Sequence, residues 1–106
     1  MVYYVRQGDW RYGEILFNVN TDTGYIRAGG TSIGSIIGQI DGNRIRLGNA
    51  PIGIGETFLI REGNNLRTGN SIYGPIVATI CHEGGCIYIR EGNMSIGKIL
   101  FNLTTF

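Results

Sequence analysis

Charge, proline and histidine are all in short supply. Only 16% of the 106 residues are charged, two are proline, and His82 is the single histidine. A formal net charge of +1 spreads no field able to gather nucleic acid or an anionic membrane, so neither is expected as a partner. With one histidine and no Gly-x-Ser-x-Gly elbow, the setting for nucleophilic catalysis is missing. Two cysteines are too few for a disulfide scaffold, and one pair with one histidine falls short of the doubled ligand pairs of zinc patterns. The glycines separate strand-like segments and do not open a helix, which a phosphate loop requires. No apolar run is long enough to span a bilayer as a helix, and the opening MVYYVRQGDW has neither the basic start nor the apolar centre of a secretory signal. A soluble product is expected, with no compartment assigned, and no enzyme activity, cofactor or metal.

What is abundant is glycine, 18 residues of it, in a fixed arrangement. The string Arg-x-Gly-x4-Gly occurs at Arg6, Gly8 and Gly13; at Arg27, Gly29 and Gly34; at Arg46, Gly48 and Gly53; at Arg67, Gly69 and Gly74; and at Arg90, Gly92 and Gly97. Successive arginines lie 21, 19, 21 and 23 residues apart, so the variation in length falls after the second glycine. An apolar residue precedes each arginine: Val5, Ile26, Ile45, Leu66 and Ile89. Side chains alternate along a strand. These five are therefore expected in the core, and the arginines share the other face with Tyr4, Tyr25, Arg44, Asn65 and Tyr88.

After the second glycine the alternation resumes, with Ile15, Phe17 and Val19; Ile36, Gly38 and Ile40; Ile76, Ala78 and Ile80; and Ile99, Phe101 and Leu103 predicted inward. Asn18, Gln39, Thr79 and Asn102 are predicted to face away. Gly55 interrupts the third copy and reads as a bulge or close backbone approach. Asp22-Thr23-Gly24, Asp41-Gly42-Asn43, Glu62-Gly63-Asn64 and Glu83-Gly84-Gly85 return the chain, since glycine reaches positive φ without steric cost. Residues 1–106 thus read as one all-β domain of short hairpins in five sequence units: a closed pseudo-symmetric repeat, whether flower, small propeller or barrel. The terminal strands, near 3–7 and 97–104, complete one unit. The hydrophobic end units, EILFNV and KILFNL, favour closure over an open array with polar caps. The competitor is edge pairing between chains, which would make self-association the role of these edges.

The stretch Ile40-Asp41-Gly42-Asn43-Arg44-Ile45-Arg46-Leu47-Gly48-Asn49, with Tyr88-Ile89-Arg90-Glu91-Gly92-Asn93 and Ile96-Gly97-Lys98-Ile99, resembles the bacterial four-fold β-flower repeat family. The resemblance covers the whole chain as a pattern and implies the fold; it brings no established activity.

Three groups of residues carry candidate chemistry. Five arginines at one height, Arg6, Arg27, Arg46, Arg67 and Arg90, would form a ring for a phosphate, sulfate or carboxylate. The competing reading, that each stacks on a tyrosine or pairs with an acid such as Glu14, Glu62 or Glu91, is the commoner use of such residues. Tyr4, Tyr25 and Tyr88 on the same face suit a sugar, an extended peptide or a protein partner. Trp10 and Tyr12 are expected to cover the barrel end. Cys81 and Cys86 flank a turn and can pair as a disulfide in an oxidising compartment, remaining thiols in a reducing one. The overall expectation is a non-catalytic binding or assembly module; the alternative is a small-ligand protein for an anion or carbohydrate, using the Tyr/Arg face or the axis.

Overall fold

The computed structural model describes residues 1–49, 56–69, 71, 73–93 and 96–106. The strands are β1 (Val2–Gln7), β2 (Ile15–Asn20), β3 (Tyr25–Ala28), β4 (Ile36–Asp41), β5 (Arg44–Leu47), β6 (Thr57–Glu62), β7 (Asn65–Thr68), β8 (Ile76–Glu83), β9 (Cys86–Glu91) and β10 (Ile99–Thr104). From β2 to β8 long strands of six to eight residues alternate with four-residue strands, β1, β9 and β10 have six residues each, and every neighbour pair is antiparallel. β1 pairs with β2 on one side and with β10 on the other, so the sheet closes into a barrel with no free edge. The molecule is a disc with extents of 35 × 34 × 17 Å.

The turns follow from the glycines. Gly84 and Gly85 both have positive φ (57° and 82°) and join Glu83 to Cys86 in a two-residue hairpin. Gly42 (φ 61°) and Gly63 (φ 60°) each take the first position of a two-residue turn and are followed by an asparagine of ordinary φ. All these turns lie at one end of the barrel. The longer connections that carry the Arg-x-Gly strings lie at the other.

Val5, Ile26 and Leu66 are buried as expected, while Ile45 and Ile89 are half-buried. Phe17 and Phe101, two strands apart around the barrel, meet edge-on with centroids 6.2 Å apart. Two expectations need correction. Every short strand pairs with the following long strand through a register shift: Val5 lies opposite Phe17, but Arg6 lies opposite Ile15. The same shift recurs at Ile26/Arg27, Ile45/Arg46, Leu66/Arg67 and against Ile99/Phe101. One residue of each long strand is bulged out, which breaks simple alternation. Ile15, Ile36, Ile76 and Ile99 therefore fall opposite arginines and not in register with the core residues. Gly55, read as the bulge of the third copy, lies outside the described residues, as does Gly53.

The second correction concerns the outward face. Asn18, Gln39 and Asn102 do lie opposite arginines, yet they are 4%, 0% and 2% exposed. The long connections cover them, and each satisfies main-chain groups of the loop above it. Trp10 and Tyr12 do not close the barrel: both stay about two-thirds exposed (65% and 64%). Tyr12 packs on Phe106 with centroids 5.8 Å apart, next to the chain's closing seam.

Candidate functional site

Each part of the string Arg-x-Gly-x4-Gly has a physical task. The first glycine has positive φ in all five copies: 70° at Gly8, 74° at Gly29, 88° at Gly48, 82° at Gly69 and 81° at Gly92. The second sits where the loop folds back against the residue after the arginine, so that a Cβ at Gly97 would lie 1.9 Å from the Glu91 carbonyl oxygen. The loop closes through the amides of Ala28, Thr68 and Glu91, which donate to the carbonyls of Ser35, Pro75 and Lys98. In the third copy the amide of Leu47 donates to the carbonyl of Glu56, two residues further along than in the others.

The arginine locks this fold-back. Nη1 of Arg27, Arg67 and Arg90 donates to the carbonyl of Gly34 (2.9 Å), Gly74 (2.7 Å) and Gly97 (2.8 Å), always the second glycine of its own string. Arg6 Nη1 does the same to Gly13. The long strand of the preceding hairpin supplies a second clamp. Asn18 Nδ2 donates to the carbonyls of Gly29 and Thr31, Gln39 Nε2 to Gly48, Thr79 Oγ1 to Gly92, and Asn102 Nδ2 to Gly8 and Trp10. The last of these closes the ring across the seam. For the fourth copy the equivalent residue is Ile60, opposite Arg67, buried and without a donor.

The outer edge of the guanidinium, Nε and Nη2, is used differently from copy to copy. Arg67 places both on Glu62 Oε1 (3.1 and 2.8 Å), and Arg90 forms a two-point pair with Glu83 (2.9 and 3.0 Å). Arg46 reaches Asp41 at 3.3 Å. Arg6 donates Nε to the Thr104 hydroxyl (3.1 Å) and Nη2 to the Phe106 carbonyl (2.7 Å). Of the acids anticipated from sequence, Glu62 is a partner; Asp41 and Glu83 are further ones. Arg27 and Arg90 also stack over Tyr25 and Tyr88, each 5.8 Å from the ring centroid.

The Arg90 fork holds Glu83 below the usual carboxylate range, chiefly through its hydrogen bond. The unfolded chain then binds the proton more readily than the folded one. The pair's contribution is complete above the ordinary glutamate pKa of about 4.3 and fades as pH falls through the lowered value. Acid titration monitored by circular dichroism should therefore show the stability gap between the native chain and Glu83→Gln closing below about pH 4.

Arg27 is the exception. Among the described residues no side chain or carbonyl meets its Nε–Nη2 edge, and it lines a cavity of about 250 Å³. Tyr4, Asn18 and Arg27 form one row across β1, β2 and β3. Val2, Asn20, Thr23 and Tyr25 line the cavity further along, and Gly30, Thr31 and Ser32 wall it from the loop that Asn18 holds down. The sequence indicated Tyr4, Tyr25 and Arg27. It did not single out Asn20, Thr31 or Ser32, although aligning the copies sets Asn20 against Asp41 and Glu62, each two residues beyond the residue opposite its arginine. Tyr88 stands apart beside Arg90, its phenol raised above the usual tyrosine range first by a hydrogen bond with Cys86 and then by burial.

Cys81 and Cys86 are free thiols. The two-residue turn puts Cys81 opposite Tyr88 and Cys86 opposite Glu83, a diagonal arrangement and not a facing one. Diagonal Cα atoms lie about 7–8 Å apart, beyond the reach of an unstrained bridge. Intact mass after air oxidation is therefore expected to match the reduced chain; a loss of two protons would show that this hairpin shifts register. Cys81 and Glu83 also line an open depression of about 510 Å³ with Asn64, Thr79, Ile80 and His82. Among the described residues no three His, Cys, Asp or Glu groups converge as a metal site.

A family model described as a 6-fold beta flower protein matches residues 5–105. No curated protein and no solved structure matches the chain. The β-flower resemblance thus holds while its four-fold form does not: the matching family is the six-fold one, and this chain carries five copies of its string.

Proposed function

The chain belongs to the six-fold β-flower family, and from that repeat architecture we propose a non-catalytic binding module whose ligand site is the Arg27 cavity. The observation that carries this reading is the difference between copies. Arg6, Arg46, Arg67 and Arg90 have the outer guanidinium edge bonded within the chain, whereas that of Arg27 borders a cavity flanked by two tyrosines. The anion or carbohydrate expected of the Tyr/Arg face is then bound by Tyr4, Tyr25 and Arg27, with Arg6, Arg67 and Arg90 as loop clamps and Arg46 paired with Asp41. A thermal-shift panel of small anions, neutral sugars and nucleotides tests this, since a ligand of the folded state raises its apparent stability. A shift that disappears in Arg27→Gln supports the site; a shift insensitive to that change places the ligand elsewhere.

Self-association is a second reading, favoured by one observation. The residue before the second glycine is apolar in each copy, and Tyr12, Ile33, Tyr73 and Ile96 are 64%, 89%, 89% and 81% exposed. Tyr12 packs against Trp10 and Phe106, while Ile33, Tyr73 and Ile96 project into solvent, and all lie in the connections at the same end of the barrel. A second copy of the chain is the occupant that a ring of equivalent apolar tips matches best, because equivalent patches meet across a two-fold axis. Light scattering of Ile33→Ser with Ile96→Ser, set against the native chain, decides it: a dimer that becomes monomeric supports the reading, and a monomeric native chain ends it.

A further inference from the structure

Resting on the Arg27 cavity as the ligand site, we infer that the group recognised there is a carboxylate, on a hydroxylated body of about monosaccharide size. The other copies supply the argument. In three of them the Nε–Nη2 edge of the equivalent arginine is met by a carboxylate: Asp41 on Arg46, Glu62 on Arg67 and Glu83 on Arg90. Asp41 and Glu62 each stand two residues beyond the residue opposite the arginine, Gln39 and Ile60. In the second copy that place belongs to Asn20, a neutral amide, and its Oδ1 is engaged by the amides of Asp22 and Thr23 (2.9 and 3.3 Å). Asp22, five residues before Arg27 as Asp41 is before Arg46, pairs with the Met1 amino group at 2.7 Å. The fork of Arg27 is therefore held in place by Gly34, while no acid among the described residues meets its outer edge.

The surroundings narrow the class. A planar guanidinium edge offers two parallel N–H groups, which match the two oxygens of a carboxylate. Arg27 is the one cation among the cavity's lining residues, enough for a monoanion but not for a phosphate dianion. The hydroxyl-bearing Thr23, Thr31 and Ser32 and the aromatic Tyr4 and Tyr25 all line the cavity, a mixture that suits a ring bearing hydroxyl groups. A volume near 250 Å³ lies just below the roughly 300–1,000 Å³ of sites for drug-sized ligands, which points to a single small unit.

The test is isothermal titration of the full chain with D-glucuronate, D-glucose and D-glucose 6-phosphate at low ionic strength. Glucuronate is expected to bind, glucose and glucose 6-phosphate to bind at least about tenfold more weakly, a gap set by the charge-assisted pair. Asn20→Glu is the decisive variant, because it restores within the chain the acid that the third and fourth copies already carry. It should stay folded, the new pair with Arg27 offsetting the turn bonds that Asn20 Oδ1 accepts, while weakening glucuronate about tenfold or more by occupying the fork. Phosphate or neutral sugar binding as tightly as glucuronate, with the signal lost in Arg27→Gln, overturns the carboxylate class and leaves the cavity as a ligand site. No binding by any of the three overturns the class and the cavity reading together. Unchanged glucuronate affinity in a folded Asn20→Glu chain also overturns the class.

Discussion

Gly97→Ala is expected to cost about 3 kcal/mol or more, a fall in melting temperature on the order of 15 °C for a domain of this size. The added Cβ would stand 1.9 Å from the Glu91 carbonyl oxygen and 3.0 Å from its carbon, and the obstacle is main chain that cannot rotate aside. The same substitution at Gly34 or Gly74 meets Ala28 or Thr68 at 2.2 and 2.4 Å and should be comparably damaging. Gly13→Ala provides the contrast. Its Cβ would come only to 3.1 Å of the Trp10 oxygen, and the lower entropy of the unfolded alanine chain offsets the small adjustment by about 0.4–1 kcal/mol. Denaturant unfolding of the four variants should therefore separate Gly13 from the others by about 2 kcal/mol or more. Four equal losses would mean that the fold-back is looser than described.

Replacing Asn102 by leucine is expected to cost about 2 kcal/mol. Its amide donates to the carbonyls of Gly8 and Trp10, tying the last strand to the first loop, and removal leaves both without that donor. The loss is limited because Asn102 Oδ1 is itself buried without a partner, so deleting it returns part of a desolvation cost. Asn102→Thr should fall between leucine and the native residue, since Thr79 performs the equivalent task in the fourth hairpin with one bond. A leucine variant as stable as the native chain would show that the seam closes through strand pairing alone. Ile60, an apolar residue at the matching position, makes that comparison informative.

Most of the fold was written in local chemistry. The glycines announced the turns, the Val5-type residues the core, and the hydrophobic end segments the closure that β1 and β10 complete. Residues on the far face were harder to place, for two physical reasons. A bulge in each long strand shifts the phase of alternation at Ile15, Ile36, Ile76 and Ile99, and apolar spacing carries no mark of it. Asn18, Gln39 and Asn102 look like solvent-facing strand residues until the loops that they clamp are seen above them. The arginines were conspicuous in sequence, but spacing alone could not say that Nη1 of Arg6, Arg27, Arg67 and Arg90 was committed to a glycine seven residues on. The individuality of Arg27 depends on what Asn20 and Asp22 do with their oxygens, a property of side-chain partners that no repeat pattern encodes.

Arg6, Arg27, Arg67 and Arg90 each secure their own loop, one copy at a time, and the most direct test is hydrogen exchange in Arg67→Gln. Loss of the bond to Gly74 should speed exchange at Thr68, Gly69 and Gly74 while Ala28, Gly29, Gly34, Glu91 and Gly92 keep their native protection. Loss of protection spread evenly around the barrel, or none at 68–74, would contradict the account.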